Sequence, residues 1–83
     1  MKIYDVASKR VLSEVTLFLT PKEAAHLASA AQALAENPRG HHSHVNDVDY
    51  TAEITVAVYT PENFEEFDEE SQRVLGTPGS WPA

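Results

Sequence analysis

The fold is decided by residues 15–36, which read VTLFLTPKEAAHLASAAQALAE. Before Thr20 the side chains alternate as they do in a strand, and after it the apolar positions recur with the spacing of a helix. Thr20 can cap that helix, Pro21 suits its first position, and Glu23 completes a capping box. The stretch therefore predicts a strand that runs into an amphipathic helix, and Asn37-Pro38 predicts the end of that helix.

Further strands are predicted on both sides of this stretch. Upstream, residues 2–6 are expected to pair with residues 11–20 as an antiparallel hairpin. Downstream, residues 49–59 alternate between apolar and polar side chains, which predicts a third strand. Residues 42–45 are expected to form a short partner for that strand, turning through Asn46-Asp47.

A second helix is predicted from Thr60-Pro61-Glu62 onward, and Gly76 is expected to end it. Asp68 offers an alternative start, with a break near Phe67. The tail, residues 77–83, is rich in Pro and Gly and is expected to be a flexible loop.

These elements predict an α+β fold in the order β-β-α-(β)-β-α. We expect a small, mostly antiparallel sheet of about three to four strands with two helices packed on one face. Residues 1–76 are expected to form a single domain. The predicted core consists of Leu17, Leu19, Leu27, Leu34, Ile54, Val56, Val58, Phe64 and Phe67.

Composition narrows the class of protein. The chain has 83 residues, no cysteine and a formal charge of −7. Residues 45–83 carry nine acids and one base, so direct binding of nucleic acid is disfavoured. The absence of cysteine excludes disulfides and Cys-based zinc sites. With no secretion signal or membrane-length apolar run, the chain is expected to be soluble and cytoplasmic.

The densest group of potential metal ligands is His41, His42 and His44, followed by Asp47. On a strand, His42 and His44 point to the same side, and a carboxylate nearby could complete a site. Such a ligand set suits a divalent transition metal such as zinc, nickel or iron. The alternative is an ordinary polar loop, because the spacing matches no established metal motif.

The second feature is an acidic run at the start of the second helix. It includes Glu62, Glu65, Glu66, Glu69 and Glu70. A helix N-terminus favours acids, so a solvated helix face is one interpretation. The other interpretation is a docking surface for a basic partner protein.

Motifs for catalysis are missing, because the sequence contains neither a Gly-rich phosphate loop nor a cysteine nucleophile. We therefore expect a non-catalytic, acidic protein-protein interaction module. Two states of assembly are left open, a monomer and a homodimer; the homodimer is suggested by Phe18 and Tyr59 on the outer face of the strands. The alternative is a metal-binding protein that uses the histidine cluster, or a small metallohydrolase built on it.

Overall fold

The computed structural model of the chain describes residues 1–40 and 42–81. The described strands form two separate antiparallel hairpins, and the α+β class predicted from the sequence is confirmed. The helices and strands are, in chain order, β1 (Ile3–Asp5), β2 (Arg10–Leu12), α1 (Pro21–Glu36), β3 (His42–Asn46), β4 (Glu53–Ala57) and α2 (Glu69–Leu75).

The chain divides into two compact units. The central unit is Phe18–Thr60 and contains α1, β3 and β4. The terminal unit combines the chain before Phe18 with the chain after Thr60, and it contains β1, β2 and α2. The expectation of one domain over residues 1–76 stays a prediction.

In the central unit, α1 begins with the capping box that the sequence predicts. The Glu23 amide donates to Thr20 Oγ1 at 3.2 Å, and the Thr20 amide donates to Glu23 Oε1 at 2.9 Å. At the other end, the Asn37 amide donates to the Ala33 carbonyl. These bonds satisfy backbone groups at both ends of the helix that have no partner within it.

The core of the central unit lies between α1 and the β3–β4 hairpin. Ala30 and Leu34 of α1 are buried, as is Val45 of β3, which is only 3% exposed. Ile54 and Val56 of β4 are half-buried on the face that carries Val45, whereas Glu53, Thr55 and Ala57 are exposed. The predicted strand over residues 49–59 is therefore correct for the five residues of β4 and wrong at residues 49–52, which belong to the turn before it.

The terminal unit contains the first hairpin, which is shorter than predicted. β1 begins at Ile3, directly opposite Leu12, so the residues after Leu12 have no ladder partner there. The prediction of a strand through residues 11–20 is therefore wrong beyond Leu12. Leu17 was expected in the core but is 48% exposed, so that assignment is also wrong.

The second predicted helix is divided into two parts in the structure. A 3₁₀ turn covers Phe64–Glu66, the chain is extended at Phe67, and α2 starts after Asp68. The Asp68 carboxylate accepts a hydrogen bond from the Ser71 amide at 2.8 Å, which makes it a separate N-cap. A continuous helix from Thr60 is therefore wrong, and the alternative start at Asp68 is confirmed.

The end of the terminal unit packs against α2. The Trp81 indole donates to the Leu75 carbonyl at 2.7 Å, and its ring meets Phe64 edge-on at a centroid distance of 5.7 Å. A 3₁₀ turn at Pro78–Ser80 lies within the segment predicted as a loop, whose last two residues lie outside the described chain. Leu75 is buried at 9% exposure, although the predicted core omitted it.

Of the predicted core, only Leu34 is buried, at 5% exposure, which reflects how little apolar surface so small a chain can cover. Its other members, apart from the exposed Leu17, are half-buried: Leu19, Leu27, Ile54, Val56, Val58, Phe64 and Phe67.

Candidate binding surfaces

The turn between β3 and β4 is organised by one carboxylate. Asp47 accepts hydrogen bonds from the amides of Thr51, at 2.7 Å, and Ala52, at 3.3 Å, and also from the Thr51 hydroxyl. The Asp47 carbonyl accepts from the Tyr50 amide at 3.2 Å, and the Asp47 amide donates to the Ala52 carbonyl at 3.3 Å. This network fixes the backbone of residues 47–52 in one conformation.

Hydrogen bonding also sets the protonation of Asp47. The bond from the Thr51 side chain, followed by those from the two backbone amides, holds the pKa of this carboxyl below its ordinary value. Asp47 therefore stays ionised to a lower pH than an ordinary aspartate and keeps its acceptor capacity for the turn.

The turn exposes two large side chains to solvent. Val48 is 89% exposed and Tyr50 is 80% exposed, and Tyr50 adopts the left-handed conformation with φ at 55°. Non-glycine residues seldom adopt this conformation. Sequence reasoning missed this feature, although two bulky residues inside a run of turn-forming aspartates and asparagine were a visible signal.

A shallow groove lies beside this turn, between the start of α1 and the β3–β4 hairpin. Its volume is about 200 Å³, and at its edge Phe18 is 93% exposed. An adjoining depression reaches Val48, and the two share Glu23, Asn46 and Asp47 as lining residues. We call Phe18, Val48 and Tyr50 the apolar patch; all three belong to the central unit.

The other face of the hairpin carries histidines. The rings of His42 and His44 meet edge-on with their centroids 4.8 Å apart, as their spacing along a strand predicts. The Nδ1 atom of His44 lies 3.1 Å from Glu53 Oε1 and 2.9 Å from Thr55 Oγ1. Because both contacts are made by Nδ1, Nε2 is the nitrogen of this imidazole that has no hydrogen bond within the described residues.

The predicted metal ligands are only partly brought together. His42 and His44 are neighbours, whereas the Asp47 carboxylate is bound to amides and a hydroxyl of the turn. His41 lies outside the described residues. Within residues 1–40 and 42–81, no group of three or more His, Cys, Asp or Glu side chains is placed to hold a metal ion.

The predicted acidic surface lies in the terminal unit, and its members differ in their surroundings. Glu62, Glu65, Glu66 and Glu69 are exposed and form no ion pair with the described part of the chain; we call these four the acidic surface. Glu70 is half-buried and accepts a hydrogen bond from the Tyr4 hydroxyl, which raises the pKa of Tyr4.

Comparison with known proteins gives no family for this chain. No family model matches it, and no match is found among the curated proteins or the solved structures. No helix in the described residues is long and apolar enough to cross a membrane.

Proposed function

We propose that this chain is a small, non-catalytic module that binds another protein through the apolar patch of the central unit. The observation that carries this proposal is the exposure of Phe18, Val48 and Tyr50, each at least 80% exposed to solvent. Phe18 and Val48 line adjoining depressions, and Tyr50 stands on the same turn as Val48. Exposed apolar side chains that lie near one another are typical of protein-protein interfaces. Fully burying one such side chain contributes about 1.5–3 kcal/mol.

The Asp47 network supports binding at this place. Val48 and Tyr50 stand on a turn whose backbone is already held by the Asp47 carboxylate. Ordering a flexible loop would otherwise oppose association, so a fixed turn retains more of the free energy that burial contributes.

The charge of the chain favours a basic partner. The net charge is −7, and the acidic surface has no cation paired with it in the described residues. Unpaired exposed carboxylates attract a positively charged protein over several ångströms and accelerate the encounter. Nucleic acid, which is itself negative, is an unfavourable partner.

We propose that the chain acts in the cytoplasm, because a chain without cysteines forms no disulfides and does not depend on an oxidising compartment.

The test separates anchoring by the apolar patch from attraction by the acidic surface. A partner is captured at low ionic strength, identified and repurified, and its association and dissociation rates are measured. Val48→Ser and Tyr50→Ser should accelerate dissociation at least tenfold, because about 1.4 kcal/mol corresponds to a factor of ten. Replacing Glu65, Glu66 and Glu69 with Gln should slow association and flatten its dependence on salt.

Matched controls are available elsewhere in the chain. Val6 is 73% exposed, so Val6→Ser removes a similar apolar surface without touching the turn. Glu14→Gln and Glu36→Gln remove exposed charges that are not part of the acidic surface. If Val48→Ser and Tyr50→Ser dissociate no faster than Val6→Ser, the apolar patch is not the binding surface.

A second candidate function is binding of a divalent transition metal on the histidine face of the hairpin. It is favoured by the 4.8 Å approach of the His42 and His44 rings and by Glu53 at the Nδ1 atom of His44. Hydrogen bonding of a ligand histidine to a carboxylate orients the ring. Zinc or nickel is the expected metal for imidazole ligands.

This candidate is tested by titrating untagged protein with zinc or nickel in a calorimeter and by following its thermal unfolding. Binding to the native state should raise the melting temperature, and His42→Asn with His44→Asn should abolish the effect. His26→Asn is the matched control, because His26 lies on α1 and not on β3. Absence of heat and of a thermal shift at large metal excess excludes the metal function.

A further inference from the structure

The outer edge of β4 presents backbone groups that have no partner strand in the described residues. The Asp47 amide donates to the Ala52 carbonyl, and hydrogen-bonded pairs alternate along an antiparallel ladder. Ile54 and Val56 are therefore bonded to β3, whereas the backbone groups of Glu53, Thr55 and Ala57 point away from it. An edge of this kind is a template for another strand.

We propose that β4 pairs with β4 of a second copy of this chain, antiparallel, about a two-fold axis at Thr55. The two hairpins would then form one four-stranded sheet around the axis. A two-fold arrangement satisfies the edges of both copies at once and closes, so it does not propagate into a filament.

The side chains of β4 complement each other in this register. Thr55 faces Thr55 of the second copy, and Ile54 faces Val56 of the second copy on the half-buried face. Pairs of β-branched residues and pairs of threonines stabilise neighbouring strands. The apolar face that packs against α1 would continue across the axis, covering side chains that are half-buried in one copy.

The charges on β4 also favour this register. Glu53 faces the small Ala57 of the second copy, and the two Glu53 residues are four positions apart along the paired strands. At about 3.4 Å per residue this is about 14 Å, beyond the Debye length of about 8 Å at physiological salt. Repulsion between these two carboxylates is therefore largely screened.

β4 suits this pairing better than β3. Three of the five residues of β4 are β-branched (Ile54, Thr55 and Val56), whereas β3 has only Val45. β-branched side chains are favoured in strands, and Asn is depleted from them. A self-pairing of β3 about His44 would also place two histidine side chains against each other.

The test uses the absence of cysteine from the chain. Thr55→Cys introduces a single thiol at the proposed axis, where paired α-carbons are about 5.5 Å apart, a distance that a disulfide spans. At a protein concentration of ~100 µM under mild oxidation, covalent dimer should form at least tenfold faster than for Ala57→Cys, because paired strands hold thiols at millimolar effective concentration. Ala57 is the control because it is also exposed and lies on the same strand face.

Sedimentation of the unmodified chain, with circular dichroism to verify that both variants fold, completes the experiment. A dimer by sedimentation, together with faster cross-linking at position 55, supports the proposal. A monomer, an open-ended filament, or equal cross-linking at positions 55 and 57 overturns it. The binding variants Val48→Ser and Tyr50→Ser should leave the dimer intact, so this inference and the proposed function fail independently.

Discussion

Gly76 ends α2 in a backbone conformation that other residues avoid. Its φ is +75° and its ψ is −180°, and a Cβ atom built there would lie 3.3 Å from Ser80 Oγ. This region of backbone space is nearly exclusive to glycine, and a residue with a side chain held there costs about 1–3 kcal/mol. Gly76 therefore lets the chain change direction at the end of α2, because glycine adopts a positive φ without steric strain.

Gly76→Ala should lower the free energy of unfolding by about 1–3 kcal/mol, measured by urea denaturation. Gly79→Ala is the matched control, because a Cβ there has no neighbour within 4 Å and the backbone is not in the left-handed region. Equal stability of the two variants would contradict the strained conformation at Gly76.

Asp47 predicts a dependence of stability on acid pH. Its pKa is lowered in the folded chain, chiefly by the hydrogen bond from the Thr51 side chain. The stabilisation is therefore fully present above the pKa of an unfolded aspartate, about 3.9, and is lost as the pH falls through the lower pKa of the folded state. Unfolding free energy, measured by urea titration from pH 6 downward, should decrease below about pH 4.

Asp47→Asn should make this acid-dependent loss smaller, because the titrating carboxyl is removed. Asp49→Asn is the control, since it changes the net charge by the same amount in the same turn and its carboxylate has no hydrogen bond in the described residues. If the free energy of unfolding falls equally with decreasing pH in both variants, the turn network does not contribute to that loss.

At the scale of elements, α1 was predictable because its signals are local. Thr20, Pro21 and Glu23 specify its start within four residues, and its apolar stripe is continuous. The length of β2 could not be predicted from the sequence, because a strand extends only as far as its partner strand. Its partner β1 begins opposite Leu12, and β2 ends there. The sequence offers two starts for the second helix, Thr60 and Asp68. In the structure α2 starts after Asp68, whose carboxylate accepts a hydrogen bond from the Ser71 amide.

The binding surfaces, like the helices and strands, could be predicted only in part. The spacing of His42 and His44 was enough to place them on one face. The exposure of Val48 and Tyr50 depends on a turn held by Asp47, which bonds to residues four and five positions later. Alternation along the chain predicts a strand through residues 49–59, so the pattern gave no indication that the first of these residues form a turn.

Two leucines from the predicted core provide a test of packing. Leu34 of α1 is 5% exposed, whereas Leu17 is 48% exposed. Leu34→Ala should lower the free energy of unfolding by about 2–4 kcal/mol, because it removes buried methyl groups and leaves a cavity. Leu17→Ala should cost less than about 1 kcal/mol, in the range of partly exposed positions. Urea denaturation of both variants checks the difference, and a loss at Leu17 as large as that at Leu34 would restore the predicted core.

At the scale of the whole molecule, the dominant property is its negative charge. Thirteen acids oppose six lysines and arginines, and the described residues contain no ion pair between an acid and a lysine or arginine. Charges of one sign repel each other in the compact state more than in the unfolded chain. Part of the stability gained by packing is therefore offset by repulsion, and salt should reduce that repulsion.

The free energy of unfolding should accordingly rise as sodium chloride is increased from about 10 mM to about 150 mM, because the Debye length falls from about 30 Å to about 8 Å. Replacing Glu65, Glu66 and Glu69 with Gln should stabilise the chain at low salt and reduce its response to salt, since three mutually repelling charges are removed. Urea denaturation at both ionic strengths measures the effect, with Glu14→Gln and Glu36→Gln together as the control for charges elsewhere. If salt raises the free energy of unfolding of the triple variant as much as that of the unmodified chain, repulsion within the acidic surface does not destabilise the fold. Attraction of a basic partner would then be the only electrostatic role left for these glutamates.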